Sequence, residues 1–97
     1  MSGMKAIYKG RVLAESDDTV VLENNHYFPA ESLDVACFRE SAHTSYCGWK
    51  GDCSYYHVDV PGEERNENAA WVYREPFEAA KEIAGRVAFW KGVEVVA

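Results

Sequence analysis

The stretch that decides the fold is YYHVDV at residues 55–60. Every second side chain from Tyr56 to Val60 is apolar or aromatic, while the intervening positions include His57 and Asp59. Alternation with a period of two is typical of a β-strand that has one face on a core. We therefore predict a strand here, in which the face that carries Tyr56, Val58 and Val60 is buried.

Short apolar runs separated by turn residues lie on both sides of this strand. Five residue pairs are typical of turns, since glycine accepts positive φ and aspartate and asparagine cap their own turns. They are Lys9-Gly10, Asp17-Asp18, Asn24-Asn25, Pro61-Gly62 and Lys91-Gly92. Strands spaced this closely favour an antiparallel meander, and the last two are expected to form a hairpin with each other. The predicted strands cover residues 5–8, 12–14, 19–23, 26–28, 35–39, 55–60, 69–73, 87–90 and 93–96.

One helix is predicted, near the C-terminus. Pro76 suits a first helical turn, apolar residues recur at helical spacing from Phe77 to Ala84, and Gly85 is a suitable C-terminal cap. Residues 41–51 are small and polar and are interpreted as a loop. The fold class is therefore mainly β, at the margin of α+β, in one domain that spans residues 1–97.

Charge and hydropathy exclude several classes of protein. The net charge of −6 disfavours nucleic acid and anionic membrane surfaces as partners. The longest apolar run, Ala69 to Tyr73, is too short for a transmembrane helix or a secretory signal. We expect a cytoplasmic protein that needs no cofactor and whose partner is a small molecule; the sequence predicts no oligomeric state.

The three cysteines, Cys37, Cys47 and Cys53, are an odd number, which favours reduced thiols over a disulfide framework. His43 and His57 lie near them in the sequence, and cysteine with histidine is a ligand set that zinc uses. Structural zinc sites use paired C-x2-4-C ligands, and no such pair occurs. No metal site is predicted, and Cys37 and Cys53 are interpreted as small buried apolar residues.

The segment from Cys47 to Gly51, CGWKG, combines a thiol, an indole and an ammonium between two glycines. A lysine three residues from a thiol can lower the thiol pKa, which makes Cys47 and Lys50 candidate catalytic residues. Trp49 offers a flat apolar wall for a ligand. The alternative is packing, with Trp49 in the core and Lys50 extending over it.

Several motifs in combination resemble a known family, the domain-of-unknown-function 427 family. They are Tyr27-Phe28-Pro29, Thr44 with Cys47-Gly48-Trp49-Lys50-Gly51, Ser54-Tyr55-Tyr56, Ala70-Trp71-Val72-Tyr73 with Pro76, and the ending Ala80, Ile83, Gly85 and Val87-Ala88-Phe89. The resemblance implies a strongly curved antiparallel sheet of short strands with a helix near the C-terminus, and it implies no reaction. Gly48 departs from the family, in which proline is frequent there, and Cys37 and Cys53 are not family features.

Three functions remain open at this point. The first is a binding module with an aromatic pocket, in which Lys50 holds an anionic or carbonyl group and the ligand-binding residues are Tyr27, Trp49, Tyr55, His57 and Trp71. The second is an enzyme that uses Cys47 as nucleophile or redox thiol, with Tyr55 or His57 moving protons. The third is a domain that pairs with itself through its apolar strands.

Overall fold

A computed structural model describes residues 3–97. Among the described residues, 53% are in strands and 13% in helical segments, so the mainly β prediction is confirmed. The strands are β1 (Met4–Tyr8), β2 (Arg11–Ser16), β3 (Val20–Leu22), β4 (Asn25–Tyr27), β5 (Phe38–Cys47), β6 (Gly51–Val58), β7 (Asn66–Val72), β8 (Val87–Phe89) and β9 (Glu94–Val96).

The strands form three antiparallel sheets, in the orders β2-β1-β9, β3-β4 and β5-β6-β7-β8. Phe28 joins the second sheet to the third, because its N–H and C=O exchange hydrogen bonds with Val87 at 2.8 and 2.9 Å. The β3–β4 hairpin is therefore held beside β8.

The hairpin predicted between the last two strands is wrong. β8 pairs with β7, whereas β9 pairs with β1. Lys91 and Gly92 both have positive φ, so the predicted turn is present. It directs the chain away from the four-stranded sheet because β1 offers a free edge on another sheet.

The loop predicted over residues 41–51 is also largely wrong, because β5 continues to Cys47 and only the turn that follows is irregular. Small and polar side chains have low strand propensity, but pairing with β6 overrides it.

The C-terminal helical segment is present but shorter and tighter than an α-helix. Glu78–Ile83 forms a 3₁₀ helix interrupted at Ala80, where φ is −119°. It buries Ala80 and Ile83, so the predicted apolar spacing still marks the buried side. Short 3₁₀ helices also occur at Ala30–Ser32 and Val35–Cys37. No helix within residues 3–97 has the length and apolar character needed to cross a membrane.

The four-stranded sheet has two different faces. Its closed face packs against β1 and β2 through Phe28, Phe38, Val58, Val87 and Phe89. As predicted, Val58 and Val60 are buried and Tyr56 packs against the same core.

The opposite side, called the cavity face below, is partly covered by the β3–β4 hairpin and the 3₁₀ helix Glu78–Ile83. Its residues are Cys53, Tyr55, Trp71, Tyr73 and Ala88.

Candidate functional site: an aromatic cavity with one buried lysine

A cavity of about 150 Å³ opens on the cavity face. Cross-strand pairing places Tyr55 beside Trp71 and Trp71 beside Ala88, and the period of two puts Cys53 on the same face as Tyr55. The residues that line it are Lys50, Cys53, Tyr55, Trp71, Tyr73 and Trp90.

The aromatic rings of this face lie in a continuous row. Trp71 and Trp90 make an edge contact with 5.8 Å between ring centroids, and Trp90 lies 6.5 Å from Tyr55. The row extends to His43, 4.6 Å from Tyr55, and to Tyr27, 6.2 Å from Trp71. These distances are those of favourable aromatic pairs, so each ring restrains its neighbour.

The polar ends of the aromatic residues are engaged within the protein. The indole N–H of Trp71 donates to the Tyr27 hydroxyl at 3.1 Å, and that of Trp90 donates to the Asn68 carbonyl at 2.5 Å. The Tyr55 hydroxyl shares a 2.9 Å hydrogen bond with Ser45. A ligand in the cavity would therefore meet mainly ring surfaces from these three residues.

Lys50 supplies the one charged group among the residues described as lining the cavity. It is only 8% exposed, and its ammonium forms an ion pair with the Glu23 carboxylate and lies 5.1 Å from the centre of the Tyr73 ring. Burial is the largest single influence and lowers the pKa of Lys50, but the hydrogen bond to Glu23 and the charge interactions with Tyr27, Tyr73 and Glu23 together outweigh it. The pKa of Lys50 therefore lies above its ordinary value. Lys50 is therefore a permanent cation.

Glu23 reaches Lys50 from the tip of the β3–β4 hairpin. Glu23 and Asn24 have φ of 52° and 67°, the pattern of a type I′ turn, in which asparagine is common and glutamate is not. The hydrogen bond from Lys50 holds the pKa of the Glu23 carboxyl below its usual range. Both partners of the pair are thus ionised at neutral pH.

The other titratable groups of the cavity stay neutral. Burial raises the pKa of Tyr73 to about 12 and raises the pKa of the Cys53 thiol. Burial likewise raises the pKa values of Tyr27 and Tyr55. Because only a thiolate is a good nucleophile, Cys53 is an apolar part of the cavity wall.

Two β-bulges shape one end of the cavity face. On β5, Glu40 and Thr44 are four positions apart, but their partners on β6 are only two positions apart. On β7, Asn66 and Ala70 are likewise four positions apart and pair with β6 residues that are two positions apart. Such extra residues bend a strand and redirect its side chains. The two bulges are therefore expected to bend β5 and β7 at this end of the sheet.

Asn68, at the centre of the β7 bulge, links the two bulges. Its φ is 56°, a left-handed conformation that asparagine tolerates. Its side-chain oxygen accepts from Ser41 in the β5 bulge at 2.5 Å, and its N–H donates to Nδ1 of His57 at 3.1 Å. Since its carbonyl also holds Trp90, Asn68 fixes the orientation of one cavity wall.

The structure brings together four of the predicted site residues. Lys50, Tyr55 and Trp71 line the cavity, and the Tyr27 hydroxyl accepts a hydrogen bond from the Trp71 indole. His57 lies next to the site and supports Asn68.

The structure places Trp49 and Cys47 outside the cavity lining. Trp49 is 40% exposed and lies on the outer side of Lys50, 5.7 Å from the ammonium to the ring centre. Cys47 is half-buried at the end of β5, opposite Gly51, and packs on the edge of the cavity face. Among the described residues, no hydrogen bond joins Cys47 to Lys50.

Five residues of the site are not predicted from the sequence: Cys53, Tyr73, Trp90, Glu23 and Asn68. The i, i+2 relation of Cys53 to Tyr55, and of Tyr73 to Trp71, was a local signal for the first two. No local sequence signal identifies Trp90, Glu23 or Asn68, because strand order and backbone conformation bring these residues to the cavity.

No group of three or more His, Cys, Asp or Glu side chains suited to a metal ion occurs among residues 3–97. The family model described as a domain of unknown function (DUF427) matches residues 2–97, nearly the whole chain. No curated protein matches the sequence.

Proposed function

The chain belongs to the DUF427 family, and we propose that this member binds a small planar molecule in the aromatic cavity. The observation that carries the proposal is the cavity itself. It combines apolar ring walls with a single buried cation, Lys50, the arrangement typical of small-ligand sites.

Preorganisation of the walls supports binding over simple packing. Tyr27 orients Trp71, Asn68 orients Trp90, and Ser45 orients Tyr55 through hydrogen bonds. Side chains fixed before the ligand arrives lose little conformational entropy on binding. If these rings served packing alone, the unfilled volume between them would lower the stability of the protein with no compensating gain.

The size of the cavity limits the ligand. A cavity of about 150 Å³ is comparable to one that accommodates benzene in a protein core. We therefore propose a ligand that places one ring between Trp71, Trp90 and Tyr55.

Lys50 supplies the polar contact. An ammonium has three N–H donors, of which Glu23 accepts one, so donors remain for an oxygen of the ligand. Tyr73 lies next to the ammonium and Cys53 lines the same cavity; both are neutral, so they add no competing charge.

The test uses benzyl alcohol as a neutral ring-shaped probe, titrated into the full chain labelled with ¹⁵N. We expect the indole N–H signals of Trp71 and Trp90 to shift, with a Kd of about 1 mM, an affinity of about 4 kcal/mol that is reasonable for so small a probe. Trp49 serves as an internal reference within the same spectrum.

A matched pair of variants gives the control. Trp90 and Phe77 are both 46% exposed, but only Trp90 lines the cavity. Trp90→Leu should weaken probe binding at least about fivefold, a loss of about 1 kcal/mol, whereas Phe77→Leu should leave it unchanged. Absence of any shift at Trp71 and Trp90 up to about 20 mM probe, some twentyfold above the expected Kd, would contradict the proposal.

The alternative function, an enzyme with Cys47 as nucleophile or redox thiol, has less support. The ammonium meant to activate Cys47 is engaged by Glu23 and packs on Tyr73. The thiol that does line the cavity, Cys53, is held protonated by burial. Neither arrangement gives an activated sulfur beside the ring walls.

A further inference from the structure

We infer that the ligand is a neutral planar ring compound with a carbonyl acceptor, such as a ring-bound amide, and that Glu23 excludes the corresponding carboxylate. This inference rests on the proposed binding function and names the ligand class of the same cavity. Glu23 would then be a specificity-determining residue that does not itself line the cavity.

The first step is charge compensation. Lys50 is the one cation described in the cavity lining, and its ion pair with Glu23 neutralises it locally. A ligand carboxylate on the remaining N–H donors of Lys50 would share one ammonium with the Glu23 carboxylate. Two carboxylates on one ammonium repel each other, and the net charge of −6 adds to that repulsion.

The second step is that the backbone of Glu23 is fixed near Lys50. Glu23 belongs to a two-residue turn in which both central φ values are positive, so its backbone has little freedom. The turn is anchored through Tyr27, which is fully buried against the cavity face, and through the bridge from Phe28 to Val87. The hairpin therefore keeps the backbone of Glu23 within reach of Lys50, and the ion pair holds the half-exposed Glu23 carboxylate on the ammonium.

The third step is desolvation. Trp71, Trp90 and Tyr55 offer ring surfaces whose polar ends are already engaged, so they cannot replace the hydration shell of an ionised carboxylate. A neutral carbonyl group loses much less on leaving water and needs only one donor, which Lys50 supplies. Charge and solvation thus favour the same ligand class.

The experiment compares benzamide with benzoate, two probes of nearly identical shape that differ in charge. Indole N–H shifts of Trp71 and Trp90 report binding to the full chain. In the wild-type protein we expect benzamide to bind about tenfold more tightly than benzoate, the effect of moderate like-charge repulsion at a partly exposed site.

Glu23→Gln removes the charge and keeps the side-chain shape. We expect benzoate to gain about tenfold in affinity while benzamide changes less than about threefold. Glu63→Gln is the matched control, since Glu63 is exposed in a turn remote from the cavity lining and its loss changes the net charge equally. This control should leave both affinities unchanged.

The outcomes separate the inference from the function on which it rests. Benzoate binding to the wild type as tightly as benzamide overturns the inference and leaves the binding function standing. The same holds if Glu23→Gln and Glu63→Gln change benzoate binding equally. If neither probe shifts the two indoles, both the function and the inference fail. The wild-type comparison decides the ligand class even if a variant does not fold.

Discussion

The two faces of the four-stranded sheet are built on the same strands but packed in different ways. On the closed face, Phe28 contacts Phe89 with 5.7 Å between ring centroids, and Phe38 contacts Phe89 at 6.0 Å. These rings carry no polar atoms, so they interdigitate with Val58 and Val87 until the space is filled. The cavity face carries Tyr, Trp and Cys on its strands, with Lys50 beside them in the turn between β5 and β6, and is not filled.

The difference shows how polar atoms on aromatic rings preserve a cavity. An indole N–H must keep a hydrogen bond when it leaves water, which restricts the ring to orientations that satisfy it. Trp71 and Trp90 are restricted by Tyr27 and Asn68. Phenylalanine has no such restriction and packs wherever space remains.

The largest predicted difference between the two faces is in the free energy of unfolding of variants. Phe28→Ala should lower the free energy of unfolding by about 3–5 kcal/mol, because it removes a fully buried ring from a filled core. Trp90→Leu should cost less, about 1–2 kcal/mol, since the residue is 46% exposed and loses its hydrogen bond to Asn68 together with its ring contacts to Trp71 and Tyr55. Urea unfolding followed by circular dichroism measures both, and equal losses would show that the two faces are packed alike.

An intermediate effect is expected at Asn68. Asn68→Ala should destabilise the protein by about 2 kcal/mol, since alanine is less suited to a positive φ and cannot accept from Ser41. Asn68→Asp keeps an acceptor and tolerates the conformation, so it should retain most of the stability.

The cavity provides a second measurement on the same variants. Asn68→Ala should shift the Trp90 indole N–H signal more than Asn68→Asp does, because the bulge orients that ring. An unchanged Trp90 signal in Asn68→Ala would show that the bulge does not position the cavity wall.

The last effect is confined to alkaline pH. Burial raises the pKa of Tyr73 to about 12 from about 10, so between these values the folded state holds a proton that the unfolded state has lost. Stability from this group is complete below pH 10 and declines as pH rises towards 12. Tyr73→Phe should make the unfolding free energy less dependent on pH in this window, as measured by urea titrations at several pH values. If the unfolding free energy declines with pH equally in Tyr73→Phe and in the wild type, groups other than Tyr73 cause the decline.

Much of the fold followed from local patterns. Alternation over residues 55–60 identified the buried side of β6, and turn pairs such as Lys9-Gly10 and Asn24-Asn25 identified hairpins that the structure contains. Local patterns work here because the period of a strand and the φ of a turn depend on neighbouring residues alone.

The errors arose where pairing partners are distant in sequence. Residues 41–47 of β5 fall in the predicted loop because small polar residues are weak strand formers. The pairing of β9 with β8 is predicted because the turn between them is genuine. In both cases the partner strand decided the outcome, and no local pattern carries that information.

By itself, the sequence determined a mainly β chain of this family and the chemical groups of the site, including Lys50, Tyr55 and Trp71. Only the tertiary structure decided that the cavity thiol is Cys53 and that the ring partner of Trp71 is Trp90. It also decided that Glu23, 27 residues from Lys50, neutralises that lysine. The physical reason is that cavities and ion pairs form between strands brought together by non-local hydrogen bonds, whereas residue spacing reports only which face of its own strand a side chain occupies.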